Sequence, residues 1–102
     1  MVFQPHLYSR TKLLFNDFSK SFSDADKVIV SDIYAAREKL DKTIHSKDLV
    51  ASINRSKNKA KYLGSFDEIV NFLNKNLKRG EVVVTIGAGD IYKVGEDLLK
   101  KR

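Results

Sequence analysis

The hydrophobic residues of the chain fall into two alternating patterns. Short runs of consecutive apolar residues are typical of strands buried on both faces of a parallel sheet. Numbered in chain order, such runs predict strands β1, β2 and β4 at residues 1–4, 28–30 and 81–86. A weaker strand, β3, is predicted at residues 59–63, near an edge of the sheet because lysine alternates there with apolar residues. Between the runs, apolar residues recur three or four positions apart, which is typical of helices with one buried face. These stretches predict helices over residues 11–22, from residue 46, from residue 65, and from residue 90 to residue 100.

Several residues predict where these helices begin and end. Ser65 and Glu68 have the spacing of a capping box, in which the serine accepts from a free N–H and the glutamate reaches back. Ser9 or Thr11 is a candidate cap for the first helix, and Asp90 for the last. Gly80 is expected to end the third helix, because glycine adopts the left-handed conformation at a helix C-terminus without steric cost.

Strands and helices therefore alternate along the chain, with no linker or internal repeat between them. This order predicts one α/β domain over residues 1–102, a Rossmann-like arrangement of three layers with a mainly parallel sheet between helices. In such sheets, ligands bind outside the carboxyl ends of the strands. A functional site is therefore expected in the loops that follow the four strands.

Composition narrows the class of protein. Hydrophobic residues make up 42% of the chain and there is one proline, which favours a compact fold over disorder. The chain has no cysteine, no secretory leader and no apolar run near the roughly 20 residues that span a bilayer. We therefore expect a cytoplasmic protein that does not bind a membrane.

The formal net charge of +6 raises the question of nucleic-acid binding. The basic residues concentrate at residues 55–61 and 100–102, without interleaved aromatic residues or a known nucleic-acid motif. Basic clusters of this kind are more often solvated surface. We therefore expect no nucleic-acid partner.

The loop after β1 carries the densest set of polar side chains. His6, Tyr8, Ser9, Arg10 and Thr11 immediately precede a predicted helix, where free N–H groups favour anions. Arginine binds a carboxylate or phosphate through two parallel hydrogen bonds. The alternative is that a hydroxyl only caps the helix while the imidazole and the guanidinium are solvated.

The loops after β2 and β4 supply weaker candidates. Asp32, Tyr34 and Glu38 follow β2, and two carboxylates there could hold a metal or act as a base, although such residues are more often structural. After β4, Gly87, Gly89 and Asp90 begin like a dinucleotide fingerprint, but Tyr92 occupies the position of its third glycine. Close packing of strand and helix is the better explanation. No P-loop is present, and no metal site is predicted.

Three segments together resemble one protein family. Residues 3–11 read FQPHLYSRT and are similar to the FQPHxYSRT signature of UDP-N-acetylmuramate–L-alanine ligases. Residues 32–38, DIYAARE, resemble the DIYxAxE segment of that family, and residues 87–91, GAGDI, its GAGxI segment. The segments occur in the order of the family, so the resemblance covers essentially the whole chain.

The resemblance implies an ATP-dependent reaction of peptidoglycan synthesis in which a muramic acid carboxylate is activated and L-alanine attacks it to form an amide. It also implies three domains: one for the UDP-sugar, one for ATP with Mg²⁺, and a C-terminal one that helps bind the amino acid. This chain resembles the C-terminal domain, in which His6, Tyr8 and Arg10 are implied to bind substrate. Leu7 stands where many members carry a second arginine.

The resemblance further implies that the two preceding domains and the first strands of the third are absent from this chain. The expected strand order is β4-β1-β2-β3, with the β4 edge exposed and available for a homodimer. We expect no catalytic residue in isolation, no bound ATP or Mg²⁺, and no activity without the missing domains. The alternative function is a stand-alone binding module for an anionic metabolite.

Overall fold

The computed structural model describes residues 1–101 and contains one four-stranded sheet in the order β3-β2-β1-β4. This is the predicted order read from the opposite edge. All three strand pairs are parallel, with Val2 opposite Ile29 and Thr85, and Val28 opposite Ala60. The predicted α/β class is confirmed. Arg102, the last residue of the second basic cluster, lies outside the described residues.

The elements are short and separated by well-defined loops. The strands are β1 (Val2–Phe3), β2 (Val28–Val30), β3 (Ala60–Tyr62) and β4 (Thr85–Ile86). The helices are α1 (Tyr8–Leu13), α2 (Phe15–Lys20), α3 (Ser46–Asn54), α4 (Phe66–Asn76) and α5 (Tyr92–Lys101).

Helices cover both faces of the sheet, because the side chains of the central strands alternate between two cores. Val2 and Ile29 point to one face, where they pack with α4 and α5 residues such as Ile69 and Val94. The other face contributes Phe3, Val28 and Val30, which pack with residues of α2, α3 and the segment after α2. Two apolar layers therefore hold the sheet from both sides, which confirms the three-layer prediction.

The first helix differs from its prediction in three respects. It begins at Tyr8, earlier than expected, and it is interrupted at Leu14, which separates α1 from α2. Neither Ser9 nor Thr11 caps it, because the N-cap position is Leu7. Thr11 is instead fully buried, and its hydroxyl donates to the Leu7 carbonyl at 2.7 Å. The predicted caps were wrong because the strand-to-helix turn is tighter than the hydrophobic period indicates.

The ends of α4 are as predicted only in part. Ser65 caps α4 through a 3.2 Å hydrogen bond that its hydroxyl oxygen accepts from the Glu68 N–H. The Glu68 carboxylate bonds the Ser65 hydroxyl rather than reaching the backbone. Helix α4 ends at Asn76, before Gly80, which has φ +91° in the turn closed by the Glu81 N–H to Lys78 carbonyl bond. Gly80 therefore forms a turn and does not end the helix.

Strand β4 is shorter than predicted and lies at the edge of the sheet. It pairs with β1 on one side, and the described chain places no strand on its other side. Val82, Val84 and Ile86 are 83%, 45% and 41% exposed. The edge is therefore apolar and unprotected, a surface that favours pairing with another strand.

Within residues 1–101, no helix is both long enough and apolar enough to cross a bilayer.

Candidate functional site

The loops after β1 and β2 are joined at the carboxyl edge of the sheet. The Leu7 N–H donates to the Tyr34 carbonyl and the Tyr34 N–H donates to the Pro5 carbonyl, both at 2.8 Å. These bonds form an isolated parallel bridge between His6 and Tyr34. The imidazole stacks on the phenol ring with 5.5 Å between centroids and 13° between planes. The bridge therefore fixes the position of the His6 ring.

The glycine-rich loop after β4 closes onto the same place. A Cβ atom on Gly89 would lie 3.0 Å from Gln4 Oε1 and 3.3 Å from the Tyr34 ring. The Gln4 amide nitrogen donates to Asp90 Oδ1 at 3.5 Å. We call this meeting of three loops the β1–β4 cleft, defined by Gln4, His6, Tyr34, Gly89 and Asp90.

The start of α1 has a strained backbone at Leu7 and is already hydrogen-bonded to the Glu38 carboxylate. Leu7 has φ +66°. This conformation is unfavourable for any residue other than glycine, and strained residues of this kind are often found at functional sites. The Glu38 carboxylate accepts from the Ser9 N–H at 3.2 Å and from the Ser9 hydroxyl at 2.5 Å. The hydroxyl bond in particular holds the pKa of Glu38 below its ordinary value. Glu38 therefore satisfies free groups at the helix N-terminus.

Arg10 and Tyr8 lie on α1 beside this turn. Arg10 is exposed, and within residues 1–101 its guanidinium forms no hydrogen bond or ion pair. Tyr8 is half-buried. The guanidinium is therefore available to an anion, whereas Lys12 on the same helix already pairs with Asp41 at 3.3 Å.

Asp32 belongs to a different cluster, at the carboxyl ends of β2 and β3. Its carboxylate accepts a short hydrogen bond from the Tyr62 hydroxyl. The His45 ring packs edge-on against the Tyr62 ring at 5.0 Å, and the Lys47 ammonium lies 5.4 Å from the centre of that ring. Gly64 allows this close approach, because a Cβ would stand 2.5 Å from the Tyr62 hydroxyl and one of the side chains would have to shift. Asp32 therefore fixes Tyr62 and does not line the β1–β4 cleft.

The bond to Asp32 has a measurable pH dependence. This hydrogen bond is the main reason why the pKa of Tyr62 is raised to about 12. Ionisation of the Tyr62 hydroxyl would break the bond and place two negative charges together. Because the folded-state pKa lies above the unfolded value of 10.0, this contribution to stability is complete below pH 10 and is lost towards pH 12. In an alkaline absorbance titration, the difference between wild type and Tyr62→Phe should have its midpoint near pH 12. A midpoint near pH 10 would contradict the assignment.

A second strained residue allows a matched test of the loop after β2. Ala36 is exposed with φ +52°, where glycine is favoured over alanine. Ala51 is also exposed but lies inside α3, where glycine is disfavoured. We expect Ala36→Gly to raise the free energy of unfolding by about 0.5 kcal/mol and Ala51→Gly to lower it by about 1 kcal/mol, measured by urea denaturation. Two changes of the same sign would show that the loop does not have this conformation.

The sequence thus located part of the site and missed part of it. The predicted residues His6, Tyr34, Gly87, Gly89 and Asp90 do come together at one edge of the sheet. Asp32 and Glu38 are held elsewhere by Tyr62 and Ser9. Gln4 was missed, although it directly follows β1. Among the described residues, no cluster of three His, Cys, Asp or Glu side chains could hold a metal.

Comparison with known proteins identifies the segment. No protein-family model matches the chain. It is 52% identical over 101 residues to the UDP-N-acetylmuramate–L-alanine ligase of Acetivibrio thermocellus, and 52% identical over 100 residues to that of Caldanaerobacter subterraneus. It is 53% identical over 100 residues to the ligase of Lachnospira eligens. These alignments cover 98–99% of this chain. The chain belongs to the UDP-N-acetylmuramate–L-alanine ligase family.

The similarity covers only part of each relative. The chain spans 22% of the length of the three ligases named above. The three family-like motifs lie at the carboxyl edge of the sheet, and each of them contributes residues to the β1–β4 cleft. The resemblance seen in the sequence is therefore confirmed, and the family motifs lie where the loops after β1, β2 and β4 meet.

Leu7 can now be placed in the ligase segment. Its strained backbone is held by the Leu7 N–H bond to Tyr34 and by the two Thr11 groups that donate to its carbonyl. The backbone at this position is thus fixed by main-chain contacts that do not depend on which side chain Leu7 carries.

Proposed function

We propose that this chain is the C-terminal, substrate-side domain of an ATP-dependent ligase that joins L-alanine to UDP-N-acetylmuramate in peptidoglycan synthesis, and that it is inactive alone. The observation that carries this proposal is the 52% identity to a named ligase over 99% of the chain. The cleft supports it, because three segments that are distant in sequence converge there.

In this proposal the β1–β4 cleft and α1 bind the amino acid. Arg10 pairs with the carboxylate of L-alanine, since its guanidinium is exposed and unpaired within residues 1–101, and since a guanidinium matches a carboxylate through two bonds. His6 is held against Tyr34 as one wall, and Gly87, Gly89 and Asp90 form the opposite wall. Tyr8, at the first position of α1, contacts the same substrate.

ATP and Mg²⁺ are assigned by this proposal to the remainder of the ligase. The described residues do not fit either group, because they include no cluster of carboxylates or imidazoles for a cation, and the chain has no P-loop sequence. In this proposal, the role of this chain in the ligase reaction is to bind and orient the amino acid and to exclude water around it.

The proposal is tested by complementation. The part of the Acetivibrio thermocellus ligase outside the matching segment is produced separately and mixed with this chain, and alanine-dependent ADP release is measured. We expect no release from either part alone and measurable release from the mixture. Tight binding of UDP-muramoyl-alanine to the chain alone, with no release from any mixture, would favour the stand-alone binding module.

We also propose that the β4 edge accepts a further strand, and that in the isolated chain a second copy supplies it. Val82 and Val84, which lead into β4, and Ile86 within it are exposed. The side of β4 away from β1 has no neighbouring strand within residues 1–101, which leaves backbone groups on that side unpaired. Antiparallel pairing of two such edges would satisfy those groups and cover the valines.

We expect light scattering of the isolated chain to show a dimer whose population rises with concentration. Val82→Lys should shift it to a monomer, because a charged residue on an edge strand opposes pairing. Leu13→Lys is the matched control: Leu13 is also 82% exposed but lies on α1, away from the edge. A wild-type chain that stays monomeric at the highest concentration reached would contradict this prediction.

A further inference from the structure

Two buried polar atoms of the β1–β4 cleft have no hydrogen-bond partner within the described chain. They are Oε1 of Gln4 and Nδ1 of His6. Gln4 is only 5% exposed, so bulk water does not replace the missing partner. Buried polar groups are nearly always hydrogen-bonded, and an exception at a cleft points to a ligand group that supplies the bond.

The neighbouring carboxylate determines what Gln4 offers to a ligand. Asp90 Oδ1 accepts from the Gln4 amide nitrogen, and Asp90 is itself held by an ion pair with Lys93 at 3.7 Å. Turning the amide over would place two oxygens against each other, so Asp90 fixes its orientation. Oε1 is therefore presented as a hydrogen-bond acceptor, which suits an N–H group and repels a carboxylate.

Gly89 lies beside this oxygen, because a Cβ on Gly89 would stand 3.0 Å from Oε1 and 3.3 Å from the Tyr34 ring. Tyr34 in turn stacks on His6, whose Nδ1 is the second unpaired atom. A ligand that displaces the glycine segment outward therefore meets an acceptor on one side and the His6–Tyr34 wall on the other.

We propose that Gln4 Oε1 binds the amine of the incoming amino acid and that Asp90 is the positioning residue that orients the Gln4 amide. This inference rests on the proposed function, in which Arg10 holds the carboxylate of the same amino acid. The two groups then bind opposite ends of one small ligand, and the cleft selects a molecule that carries both an amine and a carboxylate.

The test is an NMR titration of the whole chain, labelled with ¹⁵N, with L-alanine and with propionate, which lacks the amine. L-alanine is expected to shift the Gln4 side-chain amide signals, whereas propionate is expected to shift only signals near Arg10. Gln4→Met keeps the length of the side chain without the acceptor and should weaken L-alanine binding about tenfold while leaving propionate binding unchanged.

A double variant separates binding from folding. Gln4→Glu with Asp90→Asn reverses the donor and the acceptor but keeps an oxygen aimed at the amine, so it should bind L-alanine at least as well as the wild type. Lys75→Met, at an exposed position on α4, is the matched control and should change neither affinity. Thermal unfolding of each variant identifies any that does not fold, and the wild-type titration and the double variant then decide the question.

The outcomes distinguish this inference from the proposed function. Shifts at Arg10 but not at Gln4, or a folded Gln4→Met that binds L-alanine like the wild type, would overturn the role of Gln4 and leave the amino-acid site standing. No shift anywhere with L-alanine up to roughly 100 mM, well above a millimolar dissociation constant, would overturn both.

Discussion

Replacing Arg10 by methionine is expected to lower kcat/KM for L-alanine about a hundredfold, or roughly 3 kcal/mol, in a chimaeric ligase where this chain replaces the matching segment of the Acetivibrio thermocellus enzyme. The loss follows from the proposed two-point bond between the guanidinium and the alanine carboxylate. Methionine keeps much of the apolar stem, so the fold should be unaffected. Arg10→Lys should recover only part of the activity, since an ammonium cannot form the paired geometry.

The matched control is Arg79→Met in the same chimaera. Arg79 is exposed in the turn after α4 and, like Arg10, carries a full positive charge, so it tests whether any loss of charge has the same effect. We expect its kcat/KM to remain within about twofold of the parent, as for most surface changes. An Arg10→Met chimaera with unaltered steady-state kinetics for L-alanine would remove Arg10 from the site.

The largest expected effect on stability is that of Leu49→Ala, at about 3 kcal/mol. Leu49 lies on α3, is 0% exposed, and packs in the core that joins α3 to Phe3, Val28 and Val30. Truncation removes buried methyl groups and leaves a cavity that surrounding strands cannot fill. Since a small domain has only about 5–15 kcal/mol of stability, the shift of the urea midpoint should be large.

Leu99→Ala serves as the control for this measurement. Leu99 lies on α5 and is 77% exposed, so the same change in chemistry should alter the free energy of unfolding by less than about 0.5 kcal/mol. Equal effects of the two substitutions would show that α3 does not pack against the sheet as described.

Hydrophobic period alone predicted the number of strands, their parallel arrangement and the two covered faces. This succeeded because side chains in the central strands alternate between two cores, so Val2 and Phe3 both had to be apolar. The alternating lysines of β3 indicated a strand near an edge. The full strand order came from the resemblance to a family, since local pattern does not specify which strands are neighbours.

The interruption at Leu14 could not be predicted from period. The apolar residues Leu14, Phe15, Phe18 and Phe22 continue one helical pattern across the break. The break accompanies tertiary packing, in which the Phe18 ring lies edge-on and the Phe22 ring tilted against Phe3, each with 5.3 Å between ring centroids. The N-cap of α3 could not be predicted from the hydrophobic period either. It is His45, an unusual capping residue, whose ring nitrogen accepts from the Lys47 N–H at 3.0 Å.

Only part of the candidate site could be predicted from the sequence, because the rest depends on contacts between residues that are distant along the chain. His6 and Asp90 were identifiable because they follow strands, and the loops after parallel strands share one edge of the sheet. The roles of Asp32 and Glu38 depend on Tyr62 and Ser9, each about thirty positions away in sequence. The importance of Gln4 lies in an unpaired oxygen, which only the folded arrangement reveals.

The central claim is tested most directly by alanine-dependent ADP release from the chimaeric ligase that carries the unmodified chain. We expect release that requires both UDP-N-acetylmuramate and L-alanine, with a KM for L-alanine within about tenfold of the parent enzyme, since this chain is proposed to bind the amino acid. A chimaera that is folded and binds ATP and UDP-N-acetylmuramate but releases no ADP on addition of L-alanine would contradict the account.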